Sequence, residues 1–172
     1  QKEIAELKSM ESIDCEELKH APLLNAVIFE ALRMDPPVIG GFRKANKDIS
    51  NERIHFEQDS IFNYSILLTT RDQKAYNEAD AFRVERFLPK DHPLYRESLS
   101  SAVDPVQGKS AYPVFGGGTH VCLGKAFVLL ELRILLLRLL GQYDIEVRND
   151  RKVFLPVNGW VIDFKLNKRK DA

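Results

Sequence analysis

Between residues 22 and 34 apolar side chains recur at helical spacing (Leu23, Leu24, Val27, Ile28, Ala31, Leu32), which predicts a helix with Pro22 in its first turn. Residues 1 to about 21 form a more charged stretch that also reads as helical. The helix is expected to stop at Asp35, because Pro36 and Pro37 lack N–H donors and push the preceding residue out of the α region. From 38 to 70 the pattern changes to short β-branched and aromatic runs. One of these, Ile61-Phe62-Asn63-Tyr64-Ser65-Ile66-Leu67-Leu68, reads as a strand, so a small sheet is expected. Residues 71–111 are broken by Asp91, His92, Pro93, Asp104, Pro105 and Gly108 and read as mostly irregular chain. A loop at 112–122 then leads into a helix over 123–140, with Gly141 placed to cap it. Lys125 and Arg133 lie on one side of that helix and Glu131 and Arg138 on another, with apolar residues filling the rest. Burial over most of its circumference is therefore expected. The tail carries short apolar runs at 145–147, 153–155 and 160–162 separated by turns, which predict further strands. No internal repeat or low-complexity segment interrupts this order.

Charge and composition exclude several classes. Twenty-five basic and 25 acidic side chains in 172 residues give a formal charge of zero, so no nucleic-acid partner is expected and nothing draws the chain to an anionic membrane. A hydrophobic fraction of 44% with 29% charged residues fits a globular domain and excludes a disordered tail. The apolar stretch 126–140 is interrupted by Glu131, Arg133 and Arg138 and does not read as a membrane span. The first eight residues are charged, lack Met and contain no apolar core of a signal peptide, so the chain reads as an excised or processed piece of a longer protein.

Of the two cysteines, Cys15 lies in a charged, helix-prone stretch and reads as an ordinary small residue. Cys122 lies in Phe115-Gly116-Gly117-Gly118-Thr119-His120-Val121-Cys122-Leu123-Gly124-Lys125-Ala126, a glycine-rich loop at the mouth of a helix. Glycines let backbone N–H groups turn toward a sulfur, and a helix N-terminus adds positive potential, so both features favour a thiolate. Four chemistries compete. A zinc site lacks a four-ligand set, since only His120 is near in sequence. A phosphate loop lacks the Gly-Lys-Ser/Thr that would follow its glycines. A nucleophilic cysteine with His120 as base is conceivable, although neighbours two apart in a tight loop seldom face each other. The fourth is heme iron.

Phe115-x-x-Gly118-x-His120-x-Cys122-x-Gly124 resembles the heme-binding signature of the cytochrome P-450 family at every defining position. The resemblance implies that Cys122 is the axial thiolate ligand of the iron in a heme b, that Phe115 packs near the sulfur, and that His120 donates to a heme propionate. Glu30-Ala31-Leu32-Arg33 resembles the family's Glu-x-x-Arg helix motif. Phe82-Arg83-Val84-Glu85-Arg86-Phe87 resembles its Phe-x-Pro-Glu-Arg-Phe segment, with Val84 in place of the proline. At i and i+3, Glu30 and Arg33 share a helix face. With Arg86 they resemble a buried network that holds the heme loop and does not itself react. Arg43, in Gly41-Phe42-Arg43, is implied as a second propionate partner.

The similarity runs over residues 1–172 and corresponds to the C-terminal, heme-proximal portion of a single cytochrome P-450 domain, less than half of a family member. The implied fold is mixed α and β, mainly helical with small β-sheets. The implied activity is insertion of one oxygen atom from O2 into an apolar small-molecule substrate, with electrons from a reductase or ferredoxin; Lys125 and Arg133 are candidate basic contacts for that donor. The segment 36–43 resembles retinoid-hydroxylating members. Ala45-Asn46-Lys47-Asp48, Thr70-Arg71-Asp72 and Ala79-Asp80-Ala81-Phe82 resemble the branch that isomerises fatty acid hydroperoxides, whose heme loop is altered where this one is intact. A hydroperoxide isomerase and a non-catalytic heme-binding fragment are the alternatives to a monooxygenase.

Overall fold

Pro22 opens a helix in the computed structural model, which describes residues 3, 15–99, 112–147, 153–155, 159–161 and 164–169. Most of the charged stretch at 1–14 and the breakers Asp104, Pro105 and Gly108 lie outside the described residues. The chain divides into two units, one of Pro22–Ala126 and one of Gln1–Ala21 with Phe127–Ala172. The fold is mixed, with helices and four two-stranded antiparallel sheets among the described residues.

Helix α1 spans Cys15–Lys19 and α2 spans Pro22–Met34. Proline suits the first position of α2 because its missing N–H would have no intrahelical partner there. The helix ends where the double proline requires, and the Asp35 amide still donates to the Ala31 carbonyl at 2.9 Å. Leu24, Ile28 and Phe29 are buried, and so are Glu30 and Arg33 one turn further on.

Strand β1 (Gly40–Lys44) pairs antiparallel with β4 (Ile61–Ser65), with Phe42 opposite Asn63; between them β2 (Ile49–Ser50) pairs with β3 (His55–Phe56). The strand expected to run through Leu68 stops at Ser65 and turns into a one-turn helix, α3 (Ile66–Thr69). The cause is local: Ser65 is an N-cap whose hydroxyl accepts the Leu68 amide at 3.1 Å, and the Thr70 amide donates to the Ile66 carbonyl. Apolar Ile66, Leu67 and Leu68 read equally well as strand or helix, and the cap decides. Residues 71–99 are mostly turns, as expected, with a single 3-10 turn at Val84–Phe87.

Helix α4 (Lys125–Gln142), which belongs to the other unit from Phe127 onward, buries one narrow stripe, Leu129, Arg133, Leu137 and Gly141, at four-residue spacing. Ala126, Phe127, Ile134 and Leu135 are exposed, so the expected burial over most of the circumference is not met among the described residues. An apolar run winds around the whole helix, whereas a four-residue spacing follows one side of it. Gly141 does not cap α4. It lies inside the helix, and the glycines with positive φ among the described residues are Gly116 and Gly118. A glycine terminates a helix only in the left-handed conformation that Gly141 does not adopt. Strand β5 (Tyr143–Val147) pairs with β8 (Phe164–Lys168), and β6 (Val153–Leu155) with β7 (Gly159–Val161). Strand β8 had no counterpart in the hydrophobic pattern, and Ile162 lies outside the described residues. No described helix is long and apolar enough to cross a membrane.

Candidate functional site

Three charged side chains, two from one turn of α2 and one from far along the chain, meet in the interior of the unit 22–126. Arg33 donates from Nε to Oε2 of Glu30 at 2.7 Å and from an Nη to Oε1 at 2.9 Å, a two-pronged pair with no exposed surface on either partner. Arg86, from the 3-10 turn 56 residues further on, donates from Nε to the same Oε1 at 3.2 Å, and the Arg83 amide reaches that oxygen at 2.7 Å. Two guanidinium groups against one carboxylate leave one positive charge in excess, which backbone carbonyls absorb. Arg33 also donates to Thr70 and Ala79, and Arg86 to Asn77 and Glu78, all at 2.5–2.8 Å. The buried Tyr76 ring faces both cations, 5.1 Å from Arg33 and 5.9 Å from Arg86. A charge taken out of water is tolerated only when it is matched in this way.

An aromatic cluster sits beside the ion pairs. Phe29, next to Glu30 in α2, meets Phe87 and Tyr112 edge to face at ring separations of 5.9 and 6.2 Å, and Phe87 meets Tyr112 at 5.5 Å. The Tyr112 hydroxyl donates to the Phe29 carbonyl at 2.9 Å. Burial raises the Tyr112 phenol above its ordinary pKa, so it remains a donor into the alkaline range.

From Tyr112 the chain enters the glycine-rich loop through a 3-10 turn at Pro113–Phe115, closed by the Gly116 amide donating to Pro113 at 2.8 Å. A second 3-10 turn covers Gly118–His120. The Cys122 amide then returns to the Phe115 carbonyl at 2.7 Å, and the Lys125 amide donates to the Cys122 carbonyl at the start of α4. Gly116 has φ of 73°, and a Cβ there would lie 2.7 Å from the His120 carbonyl oxygen. Gly116→Ala is therefore expected to cost about 2 kcal/mol, seen as a lower denaturant midpoint of the full-length protein. Gly117→Ala meets open space on an extended backbone and is expected to change stability by less than about 0.5 kcal/mol.

The loop thus brings Phe115, Gly118, His120, Cys122 and Gly124 into one short segment. The Cys122 thiol is free and exposed, flanked by the exposed apolar side chains of Val121 and Leu123. His120 is exposed at the end of its 3-10 turn, and the Lys125 ammonium lies 5.5 Å from the centre of the Phe115 ring. Gly118 takes a positive φ of 59°, a conformation that favours glycine, while a Cβ on Gly124 would come only into ordinary contact with the Cys122 sulfur. Arg43 is elsewhere: in β1 its guanidinium lies over the Tyr64 ring at 4.9 Å and donates to the Phe42 carbonyl. Among the described residues no hydrogen bond or ion pair joins it to the loop. Arg133, a candidate donor contact, is buried on the α4 stripe and desolvation lowers its pKa, so of the two basic candidates Lys125 is the more accessible.

No group of three or more His, Cys, Asp or Glu side chains among the described residues could hold a metal ion by itself. A single exposed sulfur on a glycine loop with open apolar neighbours suits a metal that brings its other ligands in an apolar macrocycle. The residues present therefore fit a heme with one protein ligand on this face. Tyr112, Tyr76 and Gly116 carry much of the geometry and were not singled out by the sequence. Only the glycine triplet offered a signal, because a tyrosine 83 positions from its acceptor leaves no local pattern.

A family model described as cytochrome P-450 matches residues 1–170. The chain is 33% identical over 138 residues to cytochrome P-450 120 of Synechocystis, and 31% identical over 126 residues to the human mitochondrial sterol 26-hydroxylase. These alignments cover 80% and 73% of this chain but 29% and 22% of those proteins, so the chain spans about a quarter of the length of the curated relatives it matches. A solved cyanobacterial structure with bound retinoic acid superposes with a TM-score of 0.79 at 29% identity, over 98% of this chain and 37% of that one.

Proposed function

The chain belongs to the cytochrome P-450 family, and on that premise we propose that residues 1–172 are the heme-proximal portion of a single monooxygenase domain, with Cys122 as the axial thiolate. The observation that carries this reading is the exposed Cys122 sulfur on a loop whose backbone is fixed by the Cys122–Phe115 hydrogen bond. When bound, the heme supplies activation of O2 with two electrons from a partner, so that one oxygen atom enters the substrate and the other leaves as water. The chain's own residues prepare the proximal side. Glu30, Arg33 and Arg86 lock α2 to the turn at Val84–Phe87, and the loop presents the sulfur. Phe115 and Gly124 flank it, Gly118 supplies the turn, and His120 serves one heme propionate. Arg43 is assigned to the other on family resemblance, and Lys125 to the contact with a reductase or ferredoxin.

The substrate class is an apolar small molecule. A retinoid-like compound is favoured by the segment 36–43, whose Val38, Ile39 and Phe42 are exposed, and by the retinoic acid in the cyanobacterial relative. The reading is tested by what the full-length protein consumes. Hydroxylation of an apolar compound is expected to require both a reductase and oxygen. Rapid anaerobic conversion of a fatty acid hydroperoxide without a reductase, with no reductase-dependent hydroxylation, would establish the isomerase instead.

A further inference from the structure

We propose that Tyr112 is a positioning residue for Cys122, tying the cysteine loop to the buried ion-pair cluster through its hydroxyl. This deepens the proposed function and rests on Cys122 being the iron ligand. The connection is continuous. The Glu30 carboxylate is gripped by Arg33 and Arg86. The Phe29 carbonyl one residue earlier accepts the Tyr112 hydroxyl at 2.9 Å, and Tyr112 is 2% exposed. Pro113–Phe115 is a closed 3-10 turn that leaves little slack, and the Phe115 carbonyl at its end accepts the Cys122 amide at 2.7 Å. A helix carbonyl has two lone pairs, so Phe29 can serve its own helix and Tyr112 together. The aromatic contacts with Phe29 and Phe87 hold the ring, and the hydroxyl fixes where along α2 the ring stops.

Tyr112→Phe separates these roles by keeping the ring and removing the hydroxyl. In the full-length protein the variant is expected to fold and bind heme, and its reduced carbon monoxide complex is expected to show the thiolate-type Soret band. That band should decay about tenfold faster than in wild type, the size expected for one buried hydrogen bond. Amides of Gly116 and Cys122 are expected to exchange hydrogen faster by a similar factor, while the Asp35 amide at the end of α2 is unchanged. Phe56→Leu, which disturbs the stacked Phe56–Phe62 pair (ring centroids 4.6 Å apart), is the control for general destabilisation. Should it accelerate band decay and loop exchange equally, Tyr112 is merely structural and the proposal falls. Wild-type exchange at Gly116 and Cys122 in the Tyr112→Phe protein would also overturn it. Exchange is read with or without heme. Faster loop exchange together with no thiolate band in wild type would therefore refute the ligand assignment and not the tether, and unchanged exchange would refute the tether alone. If Tyr112→Phe cannot be recovered folded, Tyr112→Leu with Phe29→Leu as its partner control gives the same exchange comparison.

Discussion

Glu30→Ala is expected to destabilise the full-length protein by about 3–5 kcal/mol and to abolish recovery of heme-loaded enzyme. The carboxylate has no exposed surface and receives Arg33 on both oxygens, Arg86 on one and the Arg83 amide on one. Removing it leaves two buried guanidinium groups with backbone carbonyls, the Met34 sulfur and the Tyr76 ring but no anion. A loss of this size is a large part of a typical domain's total stability of about 5–15 kcal/mol. Glu30→Gln keeps the size and one acceptor oxygen and is expected to fall between wild type and alanine in denaturant midpoint. A normal yield of heme-loaded Glu30→Ala protein with altered substrate preference would show that the cluster acts on selectivity and not on the frame.

Cys122→Ser is the second large effect. It keeps the backbone hydrogen bonds of the loop, because the Cys122 amide and carbonyl do not depend on the side chain. A serine hydroxyl is a far weaker acid and a harder ligand than a thiol, so it cannot replace the thiolate donor proposed here while the loop persists. The thiolate-type Soret band of the reduced carbon monoxide complex is expected to vanish completely, and reductase-supported turnover with it. Cys15→Ser is expected to leave the spectrum unchanged. Persistence of the band in Cys122→Ser protein would remove Cys122 from the iron.

Features decided within a few residues were legible in the sequence. The start of α2 at Pro22 and its end before Pro36 follow from missing N–H donors, and the loop chemistry follows from glycines around one cysteine. Features decided by distant contacts were not. The i, i+3 spacing of Glu30 and Arg33 is equally compatible with a solvated surface pair, and only family resemblance brought Arg86 to them. Arg133 reads as a surface cation and is buried, because an apolar run gives no cue to which stripe of α4 faces inward. Ser65 ended a strand that its apolar neighbours would have continued, since one side-chain hydrogen bond outweighs a weak local preference.

The bonds that hold the cysteine loop differ in kind from those that hold the helix beneath it. Glu30 and Arg33 are three residues apart and can meet as soon as α2 winds, whereas Arg86 must close 56 positions and the Tyr112 hydroxyl 83. Bringing such distant segments together sacrifices loop entropy before any contact compensates it, and contacts of this range are the slow ones in folding. The bond that ties the start of the sulfur-bearing loop to α2 thus spans 83 positions, so under the proposed reading the final placement of Cys122 awaits completion of the fold around α2.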